Sequence, residues 1–563
     1  MKRLFLIFIL FSVVLLTAKN WVREYTYQAS EADSKITSRA IALEQVKRLL
    51  LEEIGVFVHS ELLVETTEVS GVLKEVTAKK IEIVSAGITK TKIIEENWNG
   101  ETYYIKAEIK ADENDVIKRL DAIIADKEKT VQLEDSRRRT DKALDEIERL
   151  KQQLAQTQDE NEKLKLQNEY NQSSNQLTAE DWFLKGYNAA EMGEYNNVIL
   201  FNQKAIEIYP YAEAYVNMGV ALGIKGNYNK EIECYQKAIE INPDLAETFY
   251  NMGLAYDNKD NYDKAIECYQ KAIEINPSDA DTYYNMGNAY SKKEFHDKAI
   301  ECYQKAIEIN PYDAETFYNM GLSYGYKYNY EKEIICYQKA IKSNPNYAEA
   351  YYNMGLAYAD KSNYYKAIEC WQKAIEIKPD YANAYYSLGI AYGNQGNYDK
   401  EIICYQKAIK RNPDYAEAYN NMGLSYSNIG NESKAIECYQ KAVEINPDDE
   451  YVYNNMGIIY CYKGNYDKAI KYYQKAIEVN PDCADAYCNI GMAYADKGNN
   501  DKAIEYFQKA IEINPYYAEA YFNMGIAYHY KGNSEKAFEL YKKAARLDLK
   551  SAQDFFKKKG ISW

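Results

Sequence analysis

Asparagine recurs along the chain at one place in a repeating pattern, two residues before a glycine. The stretch YYNMGLAY at 351–358 has close copies beginning at Tyr215, Phe249, Tyr283 and Tyr521. A primary amide both donates and accepts hydrogen bonds, so a row of amides can hold an extended peptide backbone without reading its sequence. The members of this asparagine row are Asn217, Asn251, Asn285, Asn319, Asn353, Asn421, Asn455, Asn489 and Asn523.

Two further rows accompany the asparagines. The aromatic row consists of Tyr250, Tyr284, Tyr318, Tyr352 and Tyr386, together with Phe183 and Phe522. The acidic row lies one helical turn earlier and consists of Glu180, Glu213, Glu247, Asp281, Glu315, Glu349, Glu417, Asp485 and Glu519. Tyrosine offers flat contact area at low entropic cost. Because the third row is acidic, the expected partners are proteins or extended peptides of neutral or basic character.

Cysteine also recurs every 34 residues. The series is Cys234, Cys268, Cys302, Cys336, Cys370, Cys404 and Cys438. Neighbouring packed helices lie roughly 8–10 Å apart, whereas a disulfide needs Cα atoms within ~7 Å. In other repeats the same slot holds Phe201, Tyr472, Tyr506 and Leu540. Buried packing is therefore predicted for the series. Cys461, Cys483 and Cys488 lie outside it, and a bridge among them is the alternative for an oxidising compartment.

The elements that must position these rows follow from the spacing of proline. Pro210 is followed by Pro243, and from there proline recurs every 34 residues to Pro515. In the unit 246–279, apolar residues and glycine at i, i+3, i+4 and i+7 predict one helix, and a second such face follows before Pro277. Each unit is therefore expected to be a pair of antiparallel helices, and stacked units share a long core.

On these residues the chain resembles the tetratricopeptide repeat family, with methionine mostly in the family's leucine slot. The resemblance implies a mainly α fold, a right-handed α-solenoid of eleven helix pairs over 179–551. A capping helix at 552–563 is expected to follow them. In that fold the outward side of each first helix lines a concave groove, so the asparagine row would lie there. Leu184 and Ser387 interrupt the row.

The asparagine row resembles the peptide-binding superhelix of the O-GlcNAc transferases, in which groove asparagines hold the peptide backbone. Family members that clamp a C-terminal carboxylate use lysine and arginine at these groove positions. Here the positions hold tyrosine, asparagine and glutamate, so no such clamp is expected. Tandem duplication offers an alternative explanation, in which the row is inherited consensus without a binding role.

The turn between the two helices of a unit shows a local departure. Most units have glycine there, but four consecutive units have Asp260, Glu294, Tyr328 and Ser362. If the slot requires a positive φ, each of these residues costs ~1 kcal/mol relative to glycine.

The N-terminal third has a different character. Residues 1–18 read as an export signal with basic Lys2 and Arg3, or alternatively as a membrane anchor through residues 4–16. Residues 19–125 are expected to form a small α+β domain, with a strand at 21–28, a helix at 30–54 and a hairpin at 90–110. Its sequence loosely resembles the N-terminal domain of the bacterial flagellar assembly protein T, which implies an envelope setting.

Residues 126–175 are polar, without proline or glycine. An a/d register of Leu133, Ala143, Ile147, Leu150, Leu154 and Leu164 predicts a coiled-coil-like helix that could form a homodimer through 133–168. Asn161 and Asn168 fall on the a position of the heptad, where asparagine would favour a two-stranded parallel coiled coil. The alternative is a single charged helix that is solvated all round.

The whole composition limits the function classes. The chain has 563 residues and a formal net charge of −16, which argues against nucleic acid as the main partner. Three widely separated histidines and the lack of a phosphate-binding loop or nucleophile elbow predict no catalysis, no metal and no cofactor. The predicted function is a non-enzymatic scaffold that binds extended peptides in the groove. The alternative is an envelope assembly component that binds folded partners elsewhere.

Overall fold

The structure is a computed structural model that describes residues 19–30, 33–65, 91–111, 127–560 and 562. The predicted export signal at 1–18, with its alternative as an anchor through 4–16, lies outside these residues. Residues 31–32, 66–90 and 112–125 of the predicted α+β domain and residue 126 of the predicted linker also lie outside them. No helix in the described part of the chain is long and apolar enough to cross a bilayer. The chain divides into two compact units, residues 1–309 and 310–563.

A small antiparallel sheet opens the first unit. Its strands are β1 (Lys19–Gln28), β2 (Thr91–Trp98) and β3 (Thr102–Ala111), with β3 in the middle. The predicted hairpin joins β2 to β3, where Gly100 has a φ of 99° and Asn99 Oδ1 accepts the backbone N–H of Glu101 at 2.9 Å. Helix α1 (Lys35–Glu65) packs on the sheet. The predicted strands and hairpin are therefore confirmed. A helix follows β1 as predicted, but it spans Lys35–Glu65 and not 30–54.

The predicted linker consists of two helices, α2 (Lys127–Gln156) and α3 (Glu160–Glu191). Asp159 caps α3, because its carboxylate accepts the backbone N–H groups of Asn161 and Glu162 at 2.9 and 3.0 Å. Helix α3 runs past residue 179 without interruption, so its C-terminal part is also the first helix of the first repeat. The boundary expected between linker and repeats thus falls inside a helix.

The apolar seam of α2 is buried within the chain itself. Leu133, Ile147 and Leu150 are at most 3% exposed and pack in one cluster with Val46 of α1 and Tyr170 of α3. Of the predicted seam residues, Leu164 is exposed. Helix α2 is therefore not solvated all round, and its seam needs no second chain to cover it. The homodimer through 133–168 stays a prediction.

The repeats continue as helix pairs to the C-terminus. Their helices are α4 (Tyr195–Ile208), α5 (Ala212–Ile224), α6 (Tyr228–Ile241), α7 (Ala246–Asp257), α8 (Tyr262–Ile275), α9 (Ala280–Lys292), α10 (His296–Ile309), α11 (Ala314–Tyr326), α12 (Tyr330–Ser343), α13 (Ala348–Asp360), α14 (Tyr364–Ile377), α15 (Ala382–Asn394), α16 (Tyr398–Arg411), α17 (Ala416–Asn428), α18 (Glu432–Ile445), α19 (Glu450–Tyr462), α20 (Tyr466–Val479), α21 (Ala484–Asp496), α22 (Asn500–Ile513), α23 (Ala518–Tyr530) and α24 (Ser534–Arg546). The end of α3 pairs with α4, and every later pair follows in order, giving the eleven predicted pairs. Helix α25 (Lys550–Lys559) follows as the predicted capping helix and buries Phe556.

Glycine lets the two helices of a pair approach each other closely. A Cβ atom at Gly253 of α7 would lie 2.5 Å from Cε1 of Tyr269 in α8, well inside van der Waals contact. The Tyr269 ring is fully buried in this space. The α8 helix ends at Ile275, two residues before Pro277, as predicted. Glycine is therefore required at this position, because the aromatic ring that it faces leaves no room for a side chain.

All ten cysteines are free, and the seven at the regular spacing are between 3% and 7% exposed. Burial raises the pKa of Cys234 to about 11 and that of Cys268 to about 12, so these thiols stay protonated at neutral pH. The prediction of buried packing is confirmed. Cys461, Cys483 and Cys488 form no bridge.

The turn between paired helices has a positive φ. Gly193, Gly226 and the equivalent later glycines have φ between 70° and 83°. The four other residues at this slot, Asp260, Glu294, Tyr328 and Ser362, have φ between 55° and 62°. This turn position therefore requires a positive φ. In four consecutive repeats a residue other than glycine adopts this backbone conformation, which favours glycine.

Candidate functional site

The nine asparagines of the row all lie on the first helix of a pair, and all are half-buried. The five tyrosines of the aromatic row precede them by one residue and are half-buried as well. A half-buried polar side chain combines contacts inside the protein with a surface that solvent or a partner can reach. Several of these asparagines make hydrogen bonds inside the protein, which the sequence did not predict.

That internal bonding is a contact between neighbouring repeats. Asn353 Nδ2 donates to Tyr318 Oη at 2.8 Å, and Asn421 Nδ2 donates to Tyr386 Oη at 2.9 Å. The same bond joins Asn285 to Tyr250 at 3.0 Å. In each case the asparagine belongs to one repeat and the tyrosine to the repeat before it. We call this bond the Tyr–Asn latch.

In other repeats the partner of the asparagine changes with the residue that the preceding repeat has at the tyrosine position. Where asparagine replaces the tyrosine, Asn489 Nδ2 donates to Asn454 Oδ1 at 2.9 Å. Where cysteine replaces it, Asn523 hydrogen-bonds the thiol of Cys488. Asn217 and Asn251 follow Phe183 and Val216 at this position, and these side chains have no hydroxyl.

The two interruptions of the row have packing explanations. Leu184 is partly buried against the hydrophobic cluster of the N-terminal domain, so an apolar residue suits that position. Ser387 is buried, and its Oγ lies 3.5 Å from Tyr352 Oη in the repeat before it. Serine thus takes the place of asparagine as hydrogen-bonding partner.

The tyrosines of the aromatic row also pack against other rings. Tyr318 lies 5.7 Å between ring centroids from Tyr337 of its own repeat, and 4.9 Å from Tyr347. Tyr386 makes the equivalent contacts with Tyr405 at 5.7 Å and Tyr415 at 4.9 Å. Centroid distances in this range are favourable for aromatic pairs. The rings of Tyr318 and Tyr386 are therefore each held in place by two other rings and one amide.

The surroundings of Tyr318 and Tyr386 raise the pKa of both hydroxyl groups and keep them neutral. Burial raises the pKa of Tyr318, and the nearby Glu349 carboxylate raises it further, whereas the bond from Asn353 lowers it. Burial and Glu417 act in the same way on the pKa of Tyr386. A neutral hydroxyl that accepts from asparagine still has its own proton to donate. The asparagine likewise keeps its Oδ1, so the face offers both donors and acceptors.

The first two repeats hold an arginine of the same chain on the acidic and aromatic rows. Arg139 of α2 pairs with Glu180, and its Nη1 lies 3.1 Å from Glu213 Oε1. Its guanidinium carbon lies 5.6 Å from the ring centroid of Phe183 and 5.2 Å from that of Tyr211. The sequence pattern does not predict this contact. Glu180 lies 41 residues and Glu213 lies 74 residues after Arg139, and the spacing within α2 carries no information about such distant partners.

Comparison with solved structures finds other repeat proteins. MamA is 33% identical over 30% of this chain and 97% of its own, with a TM-score of 0.27. YrrB, described as a TPR protein with an unusual peptide-binding site, is 28% identical over 33% of this chain and 96% of its own, with a TM-score of 0.30. Yeast Tom70 is 16% identical over 67% of this chain and 93% of its own, with a TM-score of 0.33. No curated protein matches the chain.

Family models of the tetratricopeptide repeat match most of the repeat region. The matched segments are 224–260, 246–279, 280–313, 329–362, 357–396, 394–430, 416–449, 448–515 and 482–550. Together they cover more than half of the chain. The segments 246–279 and 280–313 each span one helix pair, whereas 224–260 and 329–362 each join a second helix to the first helix of the next pair. The chain belongs to the tetratricopeptide repeat family.

Proposed function

We propose that this protein is a non-enzymatic interaction scaffold that holds extended peptide segments of its partners along the first-helix face. Tetratricopeptide repeats are typically interaction scaffolds of this kind. The observation that carries the proposal is the Tyr–Asn latch. Because it uses the amide N–H of asparagine internally, it fixes the amide plane in the repeats where it forms, and Oδ1 of that asparagine is then an oriented acceptor.

The spacing of these acceptors suits an extended chain. Neighbouring packed helices lie roughly 8–10 Å apart, and an extended peptide advances about 3.3 Å per residue. One asparagine Oδ1 would therefore meet a backbone N–H about every third residue of the partner. In recognition of this kind, hydrogen bonds to the peptide backbone give affinity, and contacts with the peptide side chains determine any preference for sequence.

The test compares two pairs of asparagines in the same repeats. In the full chain, Asn353 and Asn421 are changed to alanine, and binding is measured on an array of peptides of about 12 residues. Loss of two Oδ1 acceptors is expected to weaken binding by about tenfold, since each hydrogen bond contributes ~0.5–1.5 kcal/mol.

The matched control changes Asn363 and Asn431 to alanine. These asparagines cap the second helices of the same two repeats, where their side chains accept the backbone N–H groups of Lys366 and Lys434 at 3.3 Å. Both variants lose two asparagines and some stability, but the control leaves the first-helix face intact. Equal binding by the two variants, with circular dichroism showing both folded, would contradict the proposal.

A second candidate function is binding of folded partners at the turns between paired helices. Large tyrosines are exposed there in the second unit, namely Tyr326, Tyr328, Tyr462 and Tyr530, each at least 68% exposed. Tyrosine is enriched at protein interfaces because its ring and hydroxyl both make contacts. If partners are lost when Tyr326 and Tyr328 are changed to serine but kept by the asparagine variant, this second function is favoured.

The proposal includes export. Residues 1–18 have the basic start and apolar stretch of an export signal, and the expected mature protein begins at Lys19. N-terminal sequencing of the protein from its native host tests this. An intact N-terminus recovered in the membrane fraction would favour the anchor through residues 4–16.

A further inference from the structure

Four side chains surround Arg139, and four side chains of similar type and spacing occur in the second unit. In the first two repeats the parts are a glutamate, an aromatic ring three residues later, a tyrosine just before the next first helix, and a glutamate two residues after that tyrosine. Those residues are Glu180, Phe183, Tyr211 and Glu213. Within residues 310–563 the complete set occurs once, as Glu315, Tyr318, Tyr347 and Glu349.

The occupied set shows what this combination of side chains binds. Both carboxylates contact the guanidinium group of Arg139, and both rings lie within the ~6 Å at which a cation interacts with an aromatic face. Glu180 is only 2% exposed, so its charge would be unfavourable without a partner. The planar guanidinium satisfies carboxylates at its edge while its faces remain available to rings.

The second set brings two rings and a carboxylate together. The rings of Tyr318 and Tyr347 are 4.9 Å apart between centroids at an interplanar angle of 35°, whereas Phe183 and Tyr211 are 5.7 Å apart at 86°. Glu349 lies near enough to Tyr318 to raise the pKa of its hydroxyl. Glu315 lies one helical turn before Tyr318 on α11 and is exposed.

A cation from the chain already uses part of this surface. Lys378 Nζ lies 2.9 Å from Glu349 Oε1 and 4.9 Å from the ring centroid of Tyr381. At the equivalent position one repeat earlier the chain has Asn344.

We infer that Glu315, Tyr318, Tyr347 and Glu349 form a binding site for an arginine side chain of the peptide partner. The inference rests on the proposed function, because the site lies on the same first-helix face and adjoins the latch between Tyr318 and Asn353. The arginine site would give this surface a preference for partner sequence, whereas the asparagines bind only the peptide backbone.

The experiment uses the full chain and synthetic peptides of about 12 residues in a glycine–serine–asparagine background. The central residue is arginine, lysine or citrulline, and citrulline keeps the shape of arginine without its charge. Wild type is expected to bind the arginine peptides most tightly and the citrulline peptides about tenfold more weakly, as for loss of a charge-assisted pair. Changing both Glu315 and Glu349 to glutamine is expected to remove the difference.

The matched control changes Glu376 and Glu444 to glutamine. Both carboxylates lie on second helices and pair with lysines three residues earlier. This variant has the same net charge as the site variant, so it accounts for general attraction of basic peptides to an acidic protein. It is expected to keep the preference for arginine.

The outcomes separate the inference from the proposed function. If wild type binds all central residues equally, or if the control loses the preference as the site variant does, the arginine site is overturned. The peptide-binding function survives that outcome when the Asn353 and Asn421 variant still loses binding. If wild type binds no peptide at all, both proposals fail.

Discussion

Glutamate replaces alanine at one buried position of three second helices, as Glu231, Glu333 and Glu401. In the same three repeats a glycine of the first helix, Gly223, Gly325 or Gly393, makes room for the carboxyl group. A Cβ atom on Gly325 would lie 2.8 Å from Glu333 Oε1. The hydroxyl of Tyr337 donates to the same carboxyl group at 3.2 Å. These glycine–glutamate pairs lie outside the predicted binding face.

The buried glutamate predicts a dependence of stability on pH. Burial raises the pKa of Glu333 from 4.5 to about 7, so the folded protein favours the protonated acid. Its contribution is therefore fully present below the unfolded pKa and is lost as the pH rises through about 7. Changing Glu333 to glutamine is expected to remove about 1–2 kcal/mol of this dependence.

Thermal unfolding at about pH 5 and about pH 8 measures the effect. Glu331 lies on the same helix but is exposed and pairs with Lys361, so changing Glu331 to glutamine is the control. An equal dependence on pH in wild type and the Glu333 variant would show that this carboxyl group does not cause it.

Asparagine has at least three separate uses in the repeats, and only one of them concerns the proposed site. Asparagines such as Asn261 cap the second helix, with Oδ1 accepting the backbone N–H of Lys264 at 3.3 Å. Asparagines before proline, such as Asn276, accept the backbone N–H two residues later. These two uses are local and structural. The abundance of asparagine is therefore no evidence of binding by itself.

At the scale of the element, the turns of the third to sixth repeats are the strained ones. Ser362 has a φ of 58°, a conformation that costs a non-glycine residue about 1 kcal/mol or more. Changing Ser362 to glycine is expected to stabilise the repeat by up to ~1 kcal/mol, less the backbone entropy that glycine loses on folding. The converse change, Gly396 to serine, is expected to destabilise its repeat.

Amide hydrogen exchange measures the same strain without mutation. Faster exchange is expected in the turns at Asp260, Glu294, Tyr328 and Ser362 than in the turns that contain glycine. Equal protection in all of these turns would argue against the strain, and so would a Ser362 to glycine variant with unchanged stability.

At the scale of the whole molecule, the N-terminal domain caps the first repeat. Helix α3 belongs to both, Phe183 is fully buried, and Leu184 packs against the N-terminal cluster. A chain that begins at residue 179 would expose these apolar side chains and leave Glu180 without Arg139. We expect it to lose protection against amide exchange in α4, while α20 to α24 keep theirs, because repeat stability depends on nearest neighbours.

A point variant gives an independent measurement. Changing Arg139 to glutamine in the full chain leaves Glu180 buried without its cation, which is expected to cost about 3 kcal/mol locally. Exchange in α4 should then rise even though no residue has been deleted. Unchanged protection of α4 in both proteins would mean that the first repeat is stable without the N-terminal domain.

The sequence by itself determined the repeat and the faces of its helices. The spacing of 34 residues, the glycine opposite a buried ring and the proline after each second helix are local patterns. A helix of 3.6 residues per turn converts such patterns directly into which side chains are buried. The buried cysteines, the turn slot with positive φ and the position of the asparagine row on the first helix were all predictable for that reason.

Only the tertiary structure decided where the side chains of that face direct their hydrogen bonds. Asn353 meets Tyr318 across 35 residues, Arg139 meets Glu213 across 74, and the seam of α2 packs in one cluster with Val46 of α1 and Tyr170 of α3. Contacts of this kind depend on how elements pack, and periodicity carries no information about them. The sequence could therefore place the asparagines on the first helix of each pair, but it could not show that several of their amide groups already donate hydrogen bonds to the preceding repeat.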